Sequence, residues 1–428
     1  MVNLTRNILE SDNLFDKIAD ELNIPPSLYK TAVDRYTAIG NWLGEINLTD
    51  VFEGSKDPIP EEKIEAHIFP QGSFALGTVV KPWMNGEEQE YDIDLVFQID
   101  LNVGTKQPYA LKKAVGQRLK SHGRYSQMLR KEGKRCWTIA YAEHNNIQFH
   151  LDILPALNGE SISQSRYSNK EISISDKTAP NHYQWLLSNP RGYLEWFKEK
   201  NNIAFNRIKA FERERVAAME AIFATVHDVP DQLVRTPLQK TIQILKRHRD
   251  IRFNGLSNEK EKPISMIITT LAALCYDNEE SISLTLENII NKLLLYKKLL
   301  YGECAYTNMH KLIEYADEKW IIRNPVCSGE NFADKWHLDN HKRAKAFFQW
   351  LDWVEQDMAA LVEQNEQGHQ RTLVEEMFGS RVAAAVVPLT ASTEISSLLI
   401  SNAYTGDIVV DSPPQPWKYE ENIQCPLV

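Results

Sequence analysis

Asp92 and Asp94 stand two residues apart in Glu90-Tyr91-Asp92-Ile93-Asp94-Leu95-Val96-Phe97, and that spacing can do chemistry. In an extended strand successive side chains point to opposite faces. Both carboxylates therefore share one face, and Tyr91, Ile93, Leu95 and Phe97 share the other. Adjacent anions are costly unless a cation neutralises them, and hard oxygen ligands at this spacing suit Mg²⁺ or Mn²⁺. Upstream, Phe69-Pro70-Gln71-Gly72-Ser73 ends in a Gly-Ser turn whose backbone N–H groups and hydroxyl can receive a phosphate. Together these parts point to metal-dependent handling of a nucleoside triphosphate.

Two-metal phosphoryl transfer clamps the attacking and leaving oxygens between ions about 3.5–4 Å apart, so a third acid is needed. Ile147-Gln148-Phe149-His150-Leu151-Asp152-Ile153-Leu154 supplies one, with Ile147, Phe149, Leu151 and Ile153 on one face and Gln148, His150 and Asp152 on the other. Trp137, Ile139 and Tyr141 alternate just before it, and the polar run 143–146 reads as a connecting turn. The expectation is an antiparallel hairpin. Laid beside the Asp92 strand, it would bring three carboxylates to one side of a sheet. His150 is read as structural or supporting, since no Cys or second His lies nearby at zinc spacing. Alone, a Gly-Ser pair is usually a turn and an Asp-x-Asp usually a solvated strand face; their order in the chain is what carries weight.

The elements that must position these residues fall into a series. Residues 1–60 supply N-terminal helices, at 4–22 and 26–47, that brace both lobes; 61–160 form an α/β catalytic lobe with a helix near 109–121. Residues 161–180, rich in Ser and Asn, read as a crossover loop. From 181 to 410 the pattern is helical, at 181–187, 192–225, 236–251, 264–276, 283–301 and 341–363, with a turn at 229–231. The tail 411–428 carries Pro413, Pro414 and Pro416 and is expected to be extended. In 237–250, Leu238, Ile242 and Leu245 form the buried stripe and leave Lys246 and Arg249 at its edge, as a solvated basic face or a cleft wall. Ser265 opens an apolar helix, where a serine most often caps.

At 428 residues the chain exceeds one typical core, and two lobes are expected. No apolar run reaches the roughly 18 residues that span a bilayer. Met1-Val2-Asn3-Leu4-Thr5-Arg6 lacks a signal-peptide pattern, and the expected location is cytoplasmic. Five scattered cysteines without a Cys-x-x-Cys pair read as reduced thiols, and Cys425-Pro426-Leu427-Val428 as an ordinary terminus rather than a prenylation box. The formal net charge of −10 argues against a protein that coats long nucleic acid. Lys246-Arg247-His248-Arg249 is a local exception, and a compact polyanion such as a triphosphate fits that balance better than duplex DNA.

Several stretches resemble the bacterial cGAS/DncV-like nucleotidyltransferases (CD-NTases) of anti-phage cyclic-oligonucleotide signalling (CBASS), within the DNA polymerase β-like superfamily. They are Gln71-Gly72-Ser73-Phe74-Ala75-Leu76-Gly77-Thr78, Tyr91-Asp92-Ile93-Asp94-Leu95, His150-Leu151-Asp152-Ile153-Leu154-Pro155-Ala156, Ser188-Asn189-Pro190-Arg191-Gly192-Tyr193, 237–250, 263–272 and 330–336. The resemblance implies an α/β plus α fold: a catalytic lobe with a mixed or antiparallel sheet, a C-terminal helical lobe, and an active site in the cleft between them. It implies that Asp92, Asp94 and Asp152 are catalytic and bind two Mg²⁺ or Mn²⁺ ions. Gln71, Gly72 and Ser73 would hold the triphosphate, and Lys246 and Ser265 would reach phosphates from the helical lobe. The interval 74–91 between Ser73 and Asp92 is longer than the leanest superfamily pattern, and Asn85-Gly86-Glu87-Glu88 within it read as a surface loop at the cleft edge.

The implied reaction joins ribonucleoside triphosphates, ATP among them, into a cyclic di- or trinucleotide second messenger that a downstream effector binds. A regulatory partner protein at the C-terminal tail is a further implication. No membrane contact is expected; nor is obligatory DNA binding, since no His-Cys-Cys zinc cluster is visible in the sequence. An RNA-tailing or oligoadenylate-type transferase would share the three acids and make linear products, and a silent nucleotide binder would share the fold.

Overall fold

The computed structural model describes residues 8–52, 56, 64–141, 149–160, 165–220, 234–303, 311–364 and 366–388. The chain divides into two units, Met1–Val387 and Pro388–Val428, and all elements below belong to the first. The turns expected at 143–146 and 229–231, residues Ile147 and Gln148, the tail 411–428, Cys304 and Cys425 lie outside the described residues.

Period-two alternation builds the catalytic region. Its strands are β1 (Ala66–Pro70), β2 (Trp83–Met84), β3 (Glu87–Glu88), β4 (Tyr91–Asn102), β5 (Trp137–Ala140), β6 (Phe149–Asn158), β7 (Ile172–Ala179) and β8 (His182–Ser188). A six-stranded mixed sheet runs β1-β4-β6-β7-β8, with β5 also on β6, while β2 and β3 form a separate hairpin. β4 and β6 are parallel; β1 on β4, β5 on β6, β6 on β7 and β7 on β8 are antiparallel. One sheet face buries Tyr91, Ile93, Leu95, Phe97, Phe149, Leu151 and Ile153 beneath helices Pro26–Leu43 and Pro108–Ser121. On the other face, beyond the acids, Val96, Leu154, Ala156, Ile172 and Ile174 make a smaller cluster.

A second core is helical and contains Leu238, Ile242, Leu245, Ile267, Leu271, Leu286, Ile290, Phe347 and Leu351. Helix Ile8–Leu22 contributes Phe15, Ile18 and Leu22 to this core, whereas helix Pro26–Leu43 serves the sheet. Five large helices run Pro190–Glu220, Pro237–Phe253, Ser265–Cys275, Ile282–Leu294 and Lys342–Glu363, close to expectation. Thr236 caps the second of these with a full capping box through Gln239, and Pro237 occupies its first turn, where a missing N–H costs nothing. No helix among the described residues is long and apolar enough to cross a membrane. Cys136, Cys275 and Cys327 are free thiols.

The structure departs from the sequence reading at 172–188. A loop followed by a short helix was expected there, and two antiparallel strands, β7 and β8, stand in their place. The alternation Ile172-Ser173-Ile174-Ser175 is a strand signal hidden by serine-rich composition, and all four residues are buried. Asn181, at φ +63°, makes the turn between them. The helical region also carries two small hairpins, Glu314–Ala316 with Lys319–Ile321 and Arg323–Asn324 with Cys327–Asn331, and closes with helices Gln367–Phe378 and Ser380–Val386.

A buried pair joins helices Pro237–Phe253 and Lys342–Glu363. The Trp350 indole donates to His248 Nδ1 at 3.1 Å, and His248 Nε2 lies 2.8 Å from Asp357 Oδ2. An indole only donates, so the imidazole is neutral with its proton on Nε2. Burial lowers the His248 pKa against the pull of Asp357. Folding thus suppresses proton uptake, and stability is lost as pH falls below the unfolded value of about 6.5. The Asp357 carboxyl resists burial and is held below its usual range by His248 and Arg252, so its contribution is lost only at much lower pH. The melting temperature of the wild-type protein should fall between pH 8 and pH 5.5 by more than that of His248→Asn. Equal slopes by calorimetry would count against this pairing.

Candidate active site

Register brings the acids together. Across the parallel β4 and β6 pair Asp94 stands opposite Asp152, and Asp92 opposite His150; from β5, Thr138 faces Asp152. Paired residues point to the same sheet face, so residues far apart in sequence share one surface. The Thr138 hydroxyl donates to Asp152 Oδ1, orienting that carboxylate.

The Gly-Ser turn is tied directly to this surface. Gln71 N donates to Asp94 O at 2.9 Å, and a single helical turn follows at Gly72–Ala75. Gly72 has φ +58°, and a Cβ there would lie 2.9 Å from Asp94 Oδ2. Glycine is required on both counts, conformational and steric. Thr78 N donates to Ser73 O at 2.9 Å and closes the turn.

The helical region supplies the facing wall. A cavity of about 340 Å³ is lined by Gly72, Ser73, Asp92, Asp94, Lys246 and Ser265, among others. Lys246 is buried, not solvated, and its Nζ donates to both Thr78 O and Thr78 Oγ1 at 3.1 Å. Arg249 is buried too, donating to Pro263 O at 2.9 Å and Ser265 Oγ at 3.1 Å while pairing with Asp250 at 2.7 Å. Ser265 is the first residue of its helix rather than the cap, a position held by Ile264. Gln71 does not line this cavity; its backbone N–H ties the turn to β4.

Charge is concentrated here. Burial, then the neighbouring Asp92 and Asp152 carboxylates, push the Asp94 pKa up to about 7, against His150 and Lys246. Burial, then Arg249, draw the Lys246 ammonium down to about 7, against Asp250 and Asp94. The Asp92 carboxylate beside it raises the His150 pKa, outweighing burial. Burial and the adjacent Asp152 keep the Cys136 thiol protonated, with its pKa near about 12.

The donor set fits a divalent cation. Asp92, His150 and Asp152 each offer a ligand atom, all within 4.8 Å of one another. Asp92 Oδ1 is buried with His150 Nε2 3.2 Å away and no hydrogen bond of good geometry. Crowded carboxylates with an orphaned oxygen are what a hard cation relieves. His150, read from sequence as structural or supporting, thus stands against Asp92 itself. Its signal was parity: it shares the polar face of β6 with Asp152.

A mixed sheet presenting three acids beside a Gly-Ser turn, faced by a helical wall, is the architecture of the polymerase β-like nucleotidyltransferase fold. Residues 54–201 match the Second Messenger Oligonucleotide or Dinucleotide Synthetase domain. A c-di-GMP synthase from Roseivirga ehrenbergii is 27% identical over 365 residues, 85% of this chain and 83% of the relative. The cyclic dinucleotide synthase CdnG of Bradyrhizobium diazoefficiens is 26% identical over 253 residues, 56% of this chain and 53% of the relative. The solved structure of Bradyrhizobium diazoefficiens CdnG in complex with GTP shares the fold, with a TM-score of 0.61 at 20% identity over 88% of this chain and 98% of that one. By its matched domain and by both relatives, the chain is similar to the cGAS/DncV-like nucleotidyltransferases, with the synthetase domain matched over residues 54–201.

Proposed function

We propose that this enzyme joins two or three ribonucleoside triphosphates, GTP among them, into a cyclic nucleotide with release of pyrophosphate, as a messenger in anti-phage defence. The observation that carries the reading is the register that sets Asp152 opposite Asp94, which itself lines a cleft shared with Ser73 and Lys246. GTP is favoured by the relatives, one a c-di-GMP synthase and one solved with GTP.

In this reading Asp92, Asp94 and Asp152 hold two Mg²⁺ or Mn²⁺ ions, which when bound offset charge on the attacking and leaving oxygens. Ser73 and Lys246 take the donor triphosphate. Asp152, with Oδ1 fixed by Thr138, accepts the proton of the acceptor ribose hydroxyl through its other oxygen. That hydroxyl oxygen attacks the α-phosphorus, the bond to the β-phosphate bridge breaks, and pyrophosphate leaves. The linear product then re-binds with its remaining triphosphate on Ser73 and Lys246, and repetition closes the ring. Cytoplasmic residence accords with soluble triphosphate substrates.

The test is incubation with all four ribonucleoside triphosphates and Mg²⁺ or Mn²⁺, then phosphatase treatment and mass spectrometry. A phosphatase-resistant cyclic product containing guanine is expected. Linear products alone would overturn the cyclising reading, and a ring without guanine would overturn the choice of GTP.

A further inference from the structure

Asn85-Gly86-Glu87-Glu88, expected as a surface loop at the cleft edge, are the turn and second strand of the β2–β3 hairpin, whose first strand is built into the cleft. Trp83 and Met84 line the same cavity as Ser73, Asp92, Asp94 and Lys246. Most of what those acids and cations offer suits phosphate and ribose. Trp83 and Met84 offer apolar surface, with Met266 lining the cavity from the helical side. A nucleobase presents two planar apolar faces, which aromatic rings and thioether sulfur accommodate.

The hairpin is held rigidly for a segment so short. Asn85 and Gly86, at φ +55° and +83°, make a tight two-residue turn. Trp83 pairs in register with Glu88, and Gln89 N donates to Pro82 O at 2.8 Å. Glu88 accepts from Arg247 Nη2 at 2.8 Å and Arg381 Nε at 2.9 Å; Arg381 in turn reaches Glu21 Oε2 at 2.9 Å. The Arg247 guanidinium sits 5.5 Å from the Trp83 ring centroid. Gly379, at φ +95°, leaves no room for a Cβ, which would lie 2.7 Å from Trp83 Cζ3. Two segments outside the hairpin, around Arg247 and Gly379, therefore bear on one indole at the cleft wall, and Glu21 steadies Arg381. Met84, beside it, remains 49% exposed.

We propose that this hairpin is a nucleobase-binding subsite, in which Trp83 stacks on the base, Met84 extends the wall and Glu88 positions both. This rests on the nucleotide reading of the cleft and adds a specificity element to it. The subsite discriminates a nucleotide from a bare polyphosphate, because it contacts only the base.

Equilibrium binding tests this with two probes, a non-hydrolysable GTP analogue and inorganic triphosphate, each with Mg²⁺. Trp83→Ala should weaken the analogue roughly five- to a hundredfold, the range that loss of one base–aromatic stack spans. Triphosphate binding should stay within about twofold, and Trp83→Phe should restore most of the analogue's affinity. Glu88→Gln should give the same selective loss. Met84→Ser removes an exposed side chain that folding does not need, and should weaken the analogue selectively by about threefold; it decides the matter if Trp83→Ala proves unstable by calorimetry. Unchanged analogue binding, or equal losses for both probes, would overturn the subsite. Selective loss in a protein that makes no cyclic product would sustain the subsite and sink the synthase reading. Cyclic synthesis with unaltered binding in the variants would do the reverse.

Discussion

Asp94→Asn should lower turnover by roughly 10² or more while raising the melting temperature of the metal-free protein. The two effects have one origin. Asp94 shares its sheet face with Asp92 and Asp152, and burial together with those charges raises its pKa to about 7. A carboxyl whose folded pKa is raised costs stability above its unfolded value of about 3.9, and the amide removes that cost. Activity moves the other way, because phosphoryl transfer relies on fixed charge aimed at oxygens whose charge changes in the transition state. Turnover and calorimetry on the same preparation check both signs. Near-normal turnover would refute the catalytic assignment, and a lowered melting temperature would refute the electrostatic account.

Gly72→Ala should cost activity almost as heavily, without removing any chemical group. At φ +58° an alanine is strained by about 1–2 kcal/mol. The larger effect is geometric, since the new methyl would meet Asp94 Oδ2 at 2.9 Å. Either the turn or the carboxylate must shift, and a displacement of about 1 Å at a reacting centre can cost about 10² in rate. Urea unfolding should show a loss near the strain value, and turnover a far larger one. A loss of activity no greater than the stability change implies would indicate that the turn does not position Asp94.

Much of the site was legible because alternation and parity are local signals. Asp92, Asp94 and Asp152 sit on polar faces of strands whose other faces are plainly apolar, and the helices around Lys246 and Ser265 follow from their apolar residues. Two kinds of information were not local. Serine-rich composition concealed β7, because loops and buried strands can share that composition and differ only in periodicity. Long-range pairing was invisible: Glu88 meets Arg247 and Arg381 only after the chain has folded. The burial of Lys246 and Arg249 also depended on which helices pack against theirs, which their own stripe does not specify.

The parallel pairing of β4 with β6 separates the reactive geometry from the length of the chain between them. Parallel neighbours need a crossover connection, and the chain between Asn102 and Phe149 makes it, carrying helix Pro108–Ser121 and β5 on the way. Residues can be gained or lost at its surface without moving Asp94 relative to Asp152, because the entropy of closing a longer loop grows only slowly. A one-residue slip of either strand, by contrast, would turn its apolar side chains to the wrong face and bury its acids. The hydrophobic core therefore acts as a proofreader for the chemistry: a chain that folds at all folds with its carboxylates aligned, while its loops stay free to diversify.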